Sequence, residues 1–412
     1  MRIKLLNLIL FLSAFFTTEE VQSQPQKIFL NPKAQGSERQ TRFVDSLFFT
    51  PLEIVGGVEP GAFSNIIVTK DYFLINDYSR KSFLIYSKNG HYIKEINYKK
   101  TGNLSPGYDE QNNLLIFFGN NKNYTLTQKD EIKIAMDWEN PHNKKYFKKY
   151  IIDLNDSTFA IKKGTPLKSD ILHAYPFYDD YYWQGQIVTN PLFKDSLDYE
   201  IKIYKDDELV HAYFPYNRVS EPKFLYTKEN VNFFRTDTSY INLFSRPYCD
   251  TIYKMVYDSL FPAYQLVLPM ENSLPATFFT KPFKNKTERD NFNRNNGWVM
   301  RQILGVYETP RFIYFGVRYH TNFESYIYLK ESRTTYKTKN IKADGNQYNL
   351  QLLSDFRSLR RGDRFYRMQK AGDLISYFDK NKNAKVPEEL EDFLSSNPPE
   401  GAPVIVSFKL KN

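Results

Sequence analysis

The sequence predicts an all-β fold, a six-bladed β-propeller built of four-stranded antiparallel blades, and three observations carry that expectation. Ser64 to Tyr98 breaks into four short runs rich in β-branched and aromatic residues, each bounded by turn residues. The strands that follow repeat this pattern at an offset of about 40 residues, near the roughly 40 to 45 of a propeller unit. The 412-residue chain carries 34 Phe and 32 Tyr, and no helical period runs far along it. Such a composition suits a large β protein packed by aromatic rings.

The first residues read as a targeting segment. Arg2 and Lys4 precede a mostly apolar run from Leu5 to Phe16, and Val21-Gln22-Ser23 offers a cut before Gln24. The run is shorter than the roughly 20 apolar residues a membrane-spanning helix needs. No cysteine follows it at the position of a lipid anchor. Residues 1–23 are therefore expected to be a signal peptide. Residues 24–412 are expected to be a single exported propeller domain, periplasmic or extracellular, not a lipoprotein and without a transmembrane helix.

The first blade is expected at Ser64–Thr69, Tyr72–Asp77, Ser82–Ser87 and His91–Ile96. Its second and third runs are almost continuously apolar, as strands buried on both faces are. Lys88-Asn89-Gly90 predicts a tight type I′ hairpin. The second blade is read at Asn113–Phe118, Tyr124–Thr127 and Ile132–Met136. The third has an outer half at Ile201–Tyr204 and Leu209–Tyr213. Its inner half is placed at Ser157–Ile161 and Trp183–Val188, with an insertion near 162–182.

The fourth blade is placed at Lys223–Tyr226, Val231–Phe234, Thr251–Met255 and Tyr264–Leu268. An excursion near 269–297, with a polar helical stretch at Lys284–Asn295, separates it from a fifth at Arg301–Tyr307, Arg311–Val317, Ser325–Leu329 and Thr334–Thr338. The sixth uses Asn349–Leu353, Arg364–Met368 and the final strand Val404–Leu410. A short C-terminal helix, Val386–Ser396, begins at Pro387. A ring exposes a strand edge unless its last blade is completed, so residues between Lys27 and Glu53 are expected to join the final strand in terminal-strand closure.

Several segments together resemble a known family. These are Asp45-Ser46-Leu47 leading to Pro51-Leu52-Glu53, the first blade with Asn89-Gly90, Asp250-Thr251-Ile252-Tyr253 before Pro262-Ala263-Tyr264, and Asn397-Pro398-Pro399 before Pro403-Val404-Ile405-Val406. They are similar to the exported bacterial six-bladed β-propeller proteins of unknown function, of the TolB-like or NHL-like kind. That resemblance implies the six blades and export, and it implies no established reaction. The chain departs from many relatives in keeping only Leu104-Ser105-Pro106-Gly107-Tyr108 of a glycine-rich segment and in lacking a lipoprotein start.

Chemistry is sparse. A net charge of +9 is a mild basic bias over this length, so nucleic acid is not an expected partner. The densest basic cluster, Arg357-Ser358-Leu359-Arg360-Arg361 with Arg364 and Arg367, is either a solvated loop or a grip on an anionic polymer or lipid headgroup. His91, His142, His173, His211 and His320 never pair at metal-ligand spacing, so neither a metal nor a cofactor is expected. Cys249, the single cysteine, leaves no intramolecular disulfide and reads as a small buried hydrophobe. The paired carboxylates Asp179-Asp180 and Asp206-Asp207 suit turns better than glycoside hydrolysis. No catalytic residue is assigned.

One stretch, Ala174 to Trp183, interleaves aromatics with two acids. Its rings either pack between blades or stack on a ligand whose polar groups the acids bind. On the second reading Tyr178, Asp179, Tyr181 and Trp183 are ligand-binding candidates, and Arg318 and His320, at a strand end, face the same opening. Two functions stand: a non-enzymatic extracytoplasmic binding or scaffold propeller for a glycan, peptide or envelope protein, or a propeller hydrolase or lactonase acting on a glycan in the central channel.

Overall fold

The computed structural model describes residues 24–33, 36–54, 65–102, 104–110, 112–120, 147–164, 175–178, 181–187, 189, 193–205, 208–227, 229–236, 238, 240–353 and 359–411. The segment taken as a signal peptide lies outside them, as do Tyr124–Thr127 and Ile132–Met136.

Among the described residues six blades form a propeller ring. Blade one consists of Asn65–Val68, Tyr72–Asp77, Ser82–Ser87 and Tyr92–Asn97; blade two of Leu104–Asp109, Leu114–Asn120, Phe147–Asp153 and Ile161–Lys163. Blade three consists of Tyr175–Tyr178, Tyr181–Gln184, Leu197–Lys205 and Glu208–Asn217. Blade four consists of Asn232–Arg235, Ile241–Ser245, Thr251–Val256 and Ser259–Val267. Met300–Glu308, Phe312–Tyr319, Phe323–Leu329 and Thr334–Lys337 make blade five. Blade six takes Leu359–Arg361, Arg364–Lys370 and Pro403–Leu410, and receives Val44–Pro51 from the other end of the chain as its outermost strand.

The N-terminal arm does more than close the ring. Gln26–Phe29 adds to blade four as a fifth, parallel strand beside Ser259–Val267, and Glu38–Arg39 pairs with Ile341–Lys342 after blade five. The arm thus runs along the outside of three consecutive blades. At its inner end Phe43, fully buried, meets Phe312 and Tyr336 edge-on.

Aromatic rings fill the junctions between blades. Phe83 meets Phe117 between blades one and two at 5.6 Å, and Tyr307 meets Phe365 between five and six at 5.0 Å. Tyr366 meets Phe73 at 6.0 Å where six returns to one. Edge-to-face contacts of this kind add to the area the rings bury, which is how so many Phe and Tyr hold a ring without a disulfide. Leu374 on the helix Ala371–Lys380 and Leu390 on the helix Glu388–Ser395 are fully buried in the blade-six cluster.

The structure departs from the sequence expectations in several places. Ile161–Lys163 completes blade two instead of opening blade three, and Tyr175–Tyr178 is the first strand of blade three; residues 165–174 of the expected insertion near 162–182 lie outside the described residues. Lys223–Tyr226 is a turn, and the second strand of blade four is Ile241–Ser245. Asn349–Leu353 is irregular, and the helix Ala371–Lys380 was not foreseen. In the hairpin turn Lys88-Asn89-Gly90, between the third and fourth strands of blade one, only Gly90 has positive φ (+86°), and the Gly90 amide donates to the Ser87 carbonyl. A two-residue type I′ turn needs positive φ at both central residues; the loop here is one residue longer and ends on the glycine.

Candidate functional site

Within each antiparallel blade the chain reverses at every turn, so the first-to-second-strand turns of all blades gather at one end of the ring. The second-to-third-strand turns and the blade-to-blade connections gather at the other. The residues singled out in the sequence divide between these ends and the core.

Trp183 is core. Its side chain is 6% exposed, stacked on Phe233 at 5.0 Å and set edge-on to Phe244 at 5.5 Å, between blades three and four. Gly185 is needed beside it, because an added Cβ would lie 2.5 Å from the indole. Tyr181 is half-buried against the same cluster, with the Lys205 ammonium 5.1 Å from its ring centre. Tyr178 is the last residue of the first strand of blade three, and Asp179 lies outside the described residues. Arg318 is exposed, opposite Gln302 on the neighbouring strand.

His320 sits at the end where the blade-to-blade connections gather. Its ring lies 5.4 Å from Phe292, 6.2 Å from Phe278 and 6.4 Å from Tyr248. Phe278 and Phe292 come from the excursion that links blades four and five, whose helix Lys286–Asn295 is capped by Asn285 accepting from the Glu288 amide. From that helix Arg289 reaches inward, fully buried, its guanidinium 4.7 Å from the ring centre of Phe278 and 4.8 Å from that of Phe283. It donates to the Tyr248 hydroxyl at 2.5 Å and the Lys223 carbonyl at 3.1 Å. Tyr248 in turn donates to Glu229 at 3.2 Å, and Arg301 also pairs with Glu229. Burial first, and then Arg289 and Arg301, hold the His320 imidazole neutral, with its pKa down at about 3. This network locks the excursion onto blades three to five. Its link to Trp183 is indirect, since Phe278 and Trp183 share one hydrophobic cluster.

The opposite end carries a different constellation. Arg235 and Arg361 are the last residues of the first strands of blades four and six, and Glu110 follows the first strand of blade two. Glu110 accepts from Arg361 at 2.8 Å and lies 3.7 Å from Arg235. Residues of three alternate blades can meet only across the ring axis, so this carboxylate marks the mouth of the central channel. Arg361 also donates to the Val68 carbonyl of blade one at 3.1 Å, and its guanidinium lies 4.7 Å from the ring centre of Tyr108. Arg360 donates to the Arg235 carbonyl and lies 4.1 Å from the ring centre of Tyr307.

Lys88, in the turn between the third and fourth strands of blade one, has its ammonium 4.2 Å from the Phe73 ring centre and 5.8 Å from that of Tyr366. Burial, and then the charge of Arg361, lowers its pKa to about 8. Around Glu110, among the described residues, Arg235 and Arg361 make two guanidiniums to one carboxylate, and aromatic faces hold those of Arg360 and Arg361 in place. Sequence reasoning found half of it, the run around Arg360 and Arg361. It missed Glu110 and Arg235, which are single charges far apart in the chain and become neighbours only when the ring closes. Among the described residues no group of three or more His, Cys, Asp or Glu side chains is placed to hold a metal ion.

No family model and no curated protein matches the sequence. Among solved structures, the chain is similar to a "putative exported protein" of Bacteroides fragilis at 14% identity, with a TM-score of 0.58 over 94% of this chain and 100% of that one. A member of the DUF4221 family from Bacteroides vulgatus aligns at 11% identity over 91% of this chain and 100% of that one, with a TM-score of 0.45. At such identities the first likeness shows a shared fold, and the second adds no weight. No helix among the described residues is long and apolar enough to cross a membrane.

Proposed function

We propose that this propeller is an exported, non-enzymatic binding or scaffold protein of the periplasm or cell surface. It engages a glycan, a peptide or an envelope protein at the channel mouth formed by Glu110, Arg235, Arg360 and Arg361. The observation that supports this is the convergence of blades two, four and six on Glu110. Charged side chains brought together across the ring axis would offer a ligand several convergent polar contacts at once. Tyr178 belongs to the same end, because it terminates the first strand of blade three as Arg235 and Arg361 terminate theirs, and Asp179 follows it in the chain. These two are kept as proposed contacts, and Trp183, enclosed by Phe233 and Phe244, is not.

The test is a glycan and peptide array probed with the purified chain, followed by hydrogen-exchange footprinting with each ligand found. Protection is expected in the segments around Asp109–Asn113, Phe234–Thr236 and Leu359–Arg364. Footprints confined to the His320 end or to the outer strands would remove the channel mouth as the binding site.

A further inference from the structure

Resting on that reading, we infer that the group recognised at the channel mouth is a carboxylate carried by a peptide, and that Glu110 occupies its place until the ligand displaces it. The observations are geometric. Arg361 is anchored by a main-chain carbonyl of another blade and by the face of Tyr108, and Arg360 by the Arg235 carbonyl and the face of Tyr307. A guanidinium fixed on one edge and one face keeps its remaining N–H groups pointed in a set direction, and its planar fork matches a carboxylate.

The group found between Arg235 and Arg361 is a glutamate side chain on a polypeptide turn, which shows by example what fits there. Two guanidiniums, those of Arg235 and Arg361, flank this carboxylate, and Arg360 lies behind them on the Arg235 carbonyl. Glu110 is held loosely. Its side chain is 55% exposed, and ion pairs in that setting are worth roughly fivefold or less in an equilibrium constant. A ligand with two or more suitably spaced carboxylates exceeds that and moves the Glu110 side chain out to solvent. Glu110 thus sets a threshold that excludes ligands with a single weak acid.

The experiment titrates the full exported chain with a labelled oligoglutamate peptide, its oligoglutamine counterpart and an oligogalacturonate. Oligoglutamate is expected to bind with an affinity that falls as salt rises, and oligoglutamine not to bind. Glu110→Gln, which removes the resident carboxylate and leaves a group of similar size, should tighten oligoglutamate binding roughly twofold to fivefold. Arg361→Ala should weaken it tenfold or more, and Arg235→Ala serves where loss of the Val68 contact impairs folding.

Failure of oligoglutamate to bind Glu110→Gln would overturn the inference, as would affinities indifferent to the arginine substitutions. Oligogalacturonate binding as tightly as oligoglutamate would reassign the mouth to acidic glycans and equally overturn the peptide assignment. The broader reading is tested separately: a neutral ligand footprinting at this end, unaffected by Glu110→Gln, overturns the carboxylate inference and leaves the mouth a binding site, whereas footprints confined to the His320 end or the outer strands remove the mouth itself.

Discussion

Val406 and Phe49 are antiparallel partners, one in the last strand of the chain and the other in the strand that precedes blade one. Both are buried in the cluster that also takes in Leu374 and Leu390. Blade six therefore holds together only when both ends of the chain are in place. Deleting Pro403–Asn412 removes Val404, Ile405, Val406, Phe408 and Leu410 from the core and leaves two strands of that blade without their partner. The truncated protein is expected to lose its cooperative melt and to aggregate through the opened edges, as seen by calorimetry and light scattering. An unchanged melting curve would dispose of the closure argument.

Gly90 ties the last hairpin of blade one to the same closure. Its carbonyl accepts from the Glu53 amide just past the closing strand, and a Cβ added to it would lie 1.9 Å from the Pro51 carbonyl oxygen. Gly362 also has positive φ (+57°), but nothing lies within 4 Å of an added Cβ there. Gly362→Ala should cost only the roughly 1 to 2 kcal/mol of a left-handed backbone. Gly90→Ala should cost clearly more, because backbone must move as well. Denaturant midpoints measured on the two variants check the difference, and equal shifts would contradict it.

Trp183→Ala should destabilise by about 3 to 5 kcal/mol, the cost of deleting a large buried ring. The indole is enclosed by Phe233 and Phe244, so little relaxation can fill the space. Tyr181→Ala should cost distinctly less, since that ring is only half-buried. Chemical denaturation of both variants reads the contrast. A Trp183→Ala protein as stable as the parent would put the indole outside the core.

Blade five was legible strand by strand, because its runs alternate with short polar turns and each stays close to the ordinary strand length. The helix Lys286–Asn295 was legible from its polar composition after a proline-rich stretch. Blade three was not, because Tyr175–Tyr178 and Tyr181–Gln184 are separated by two acids only, and a run of aromatics looks the same whether it lines a surface or fills a junction. The strand Gln26–Phe29 escaped for a related reason: its partner lies in blade four, and a parallel pairing leaves no hairpin turn between the strands to read. At the channel mouth, Arg360 and Arg361 stood out as a cluster, whereas Glu110 became a site residue through ring geometry alone.

The last prediction concerns acid. His320 faces Arg289 from the excursion helix, Arg301 from the first strand of blade five and Tyr248 from blade four. Glu229 is already engaged by Arg301 and Tyr248. Burial and the two guanidiniums keep the imidazole neutral down to about pH 3, whereas an unfolded histidine takes its proton near pH 6.5. Between those values the unfolded chain binds a proton that the folded chain refuses, so folding stability falls as pH falls. The contribution is complete above pH 6.5, and by pH 4 the loss amounts to roughly 3 kcal/mol. His320→Phe places a third phenyl ring beside Phe278 and Phe292 and removes the titration. The variant should therefore lose less stability than the parent between pH 7 and pH 4. Urea denaturation of both proteins across that range tests it, and parallel profiles would show that protonation of His320 does not drive the acid sensitivity.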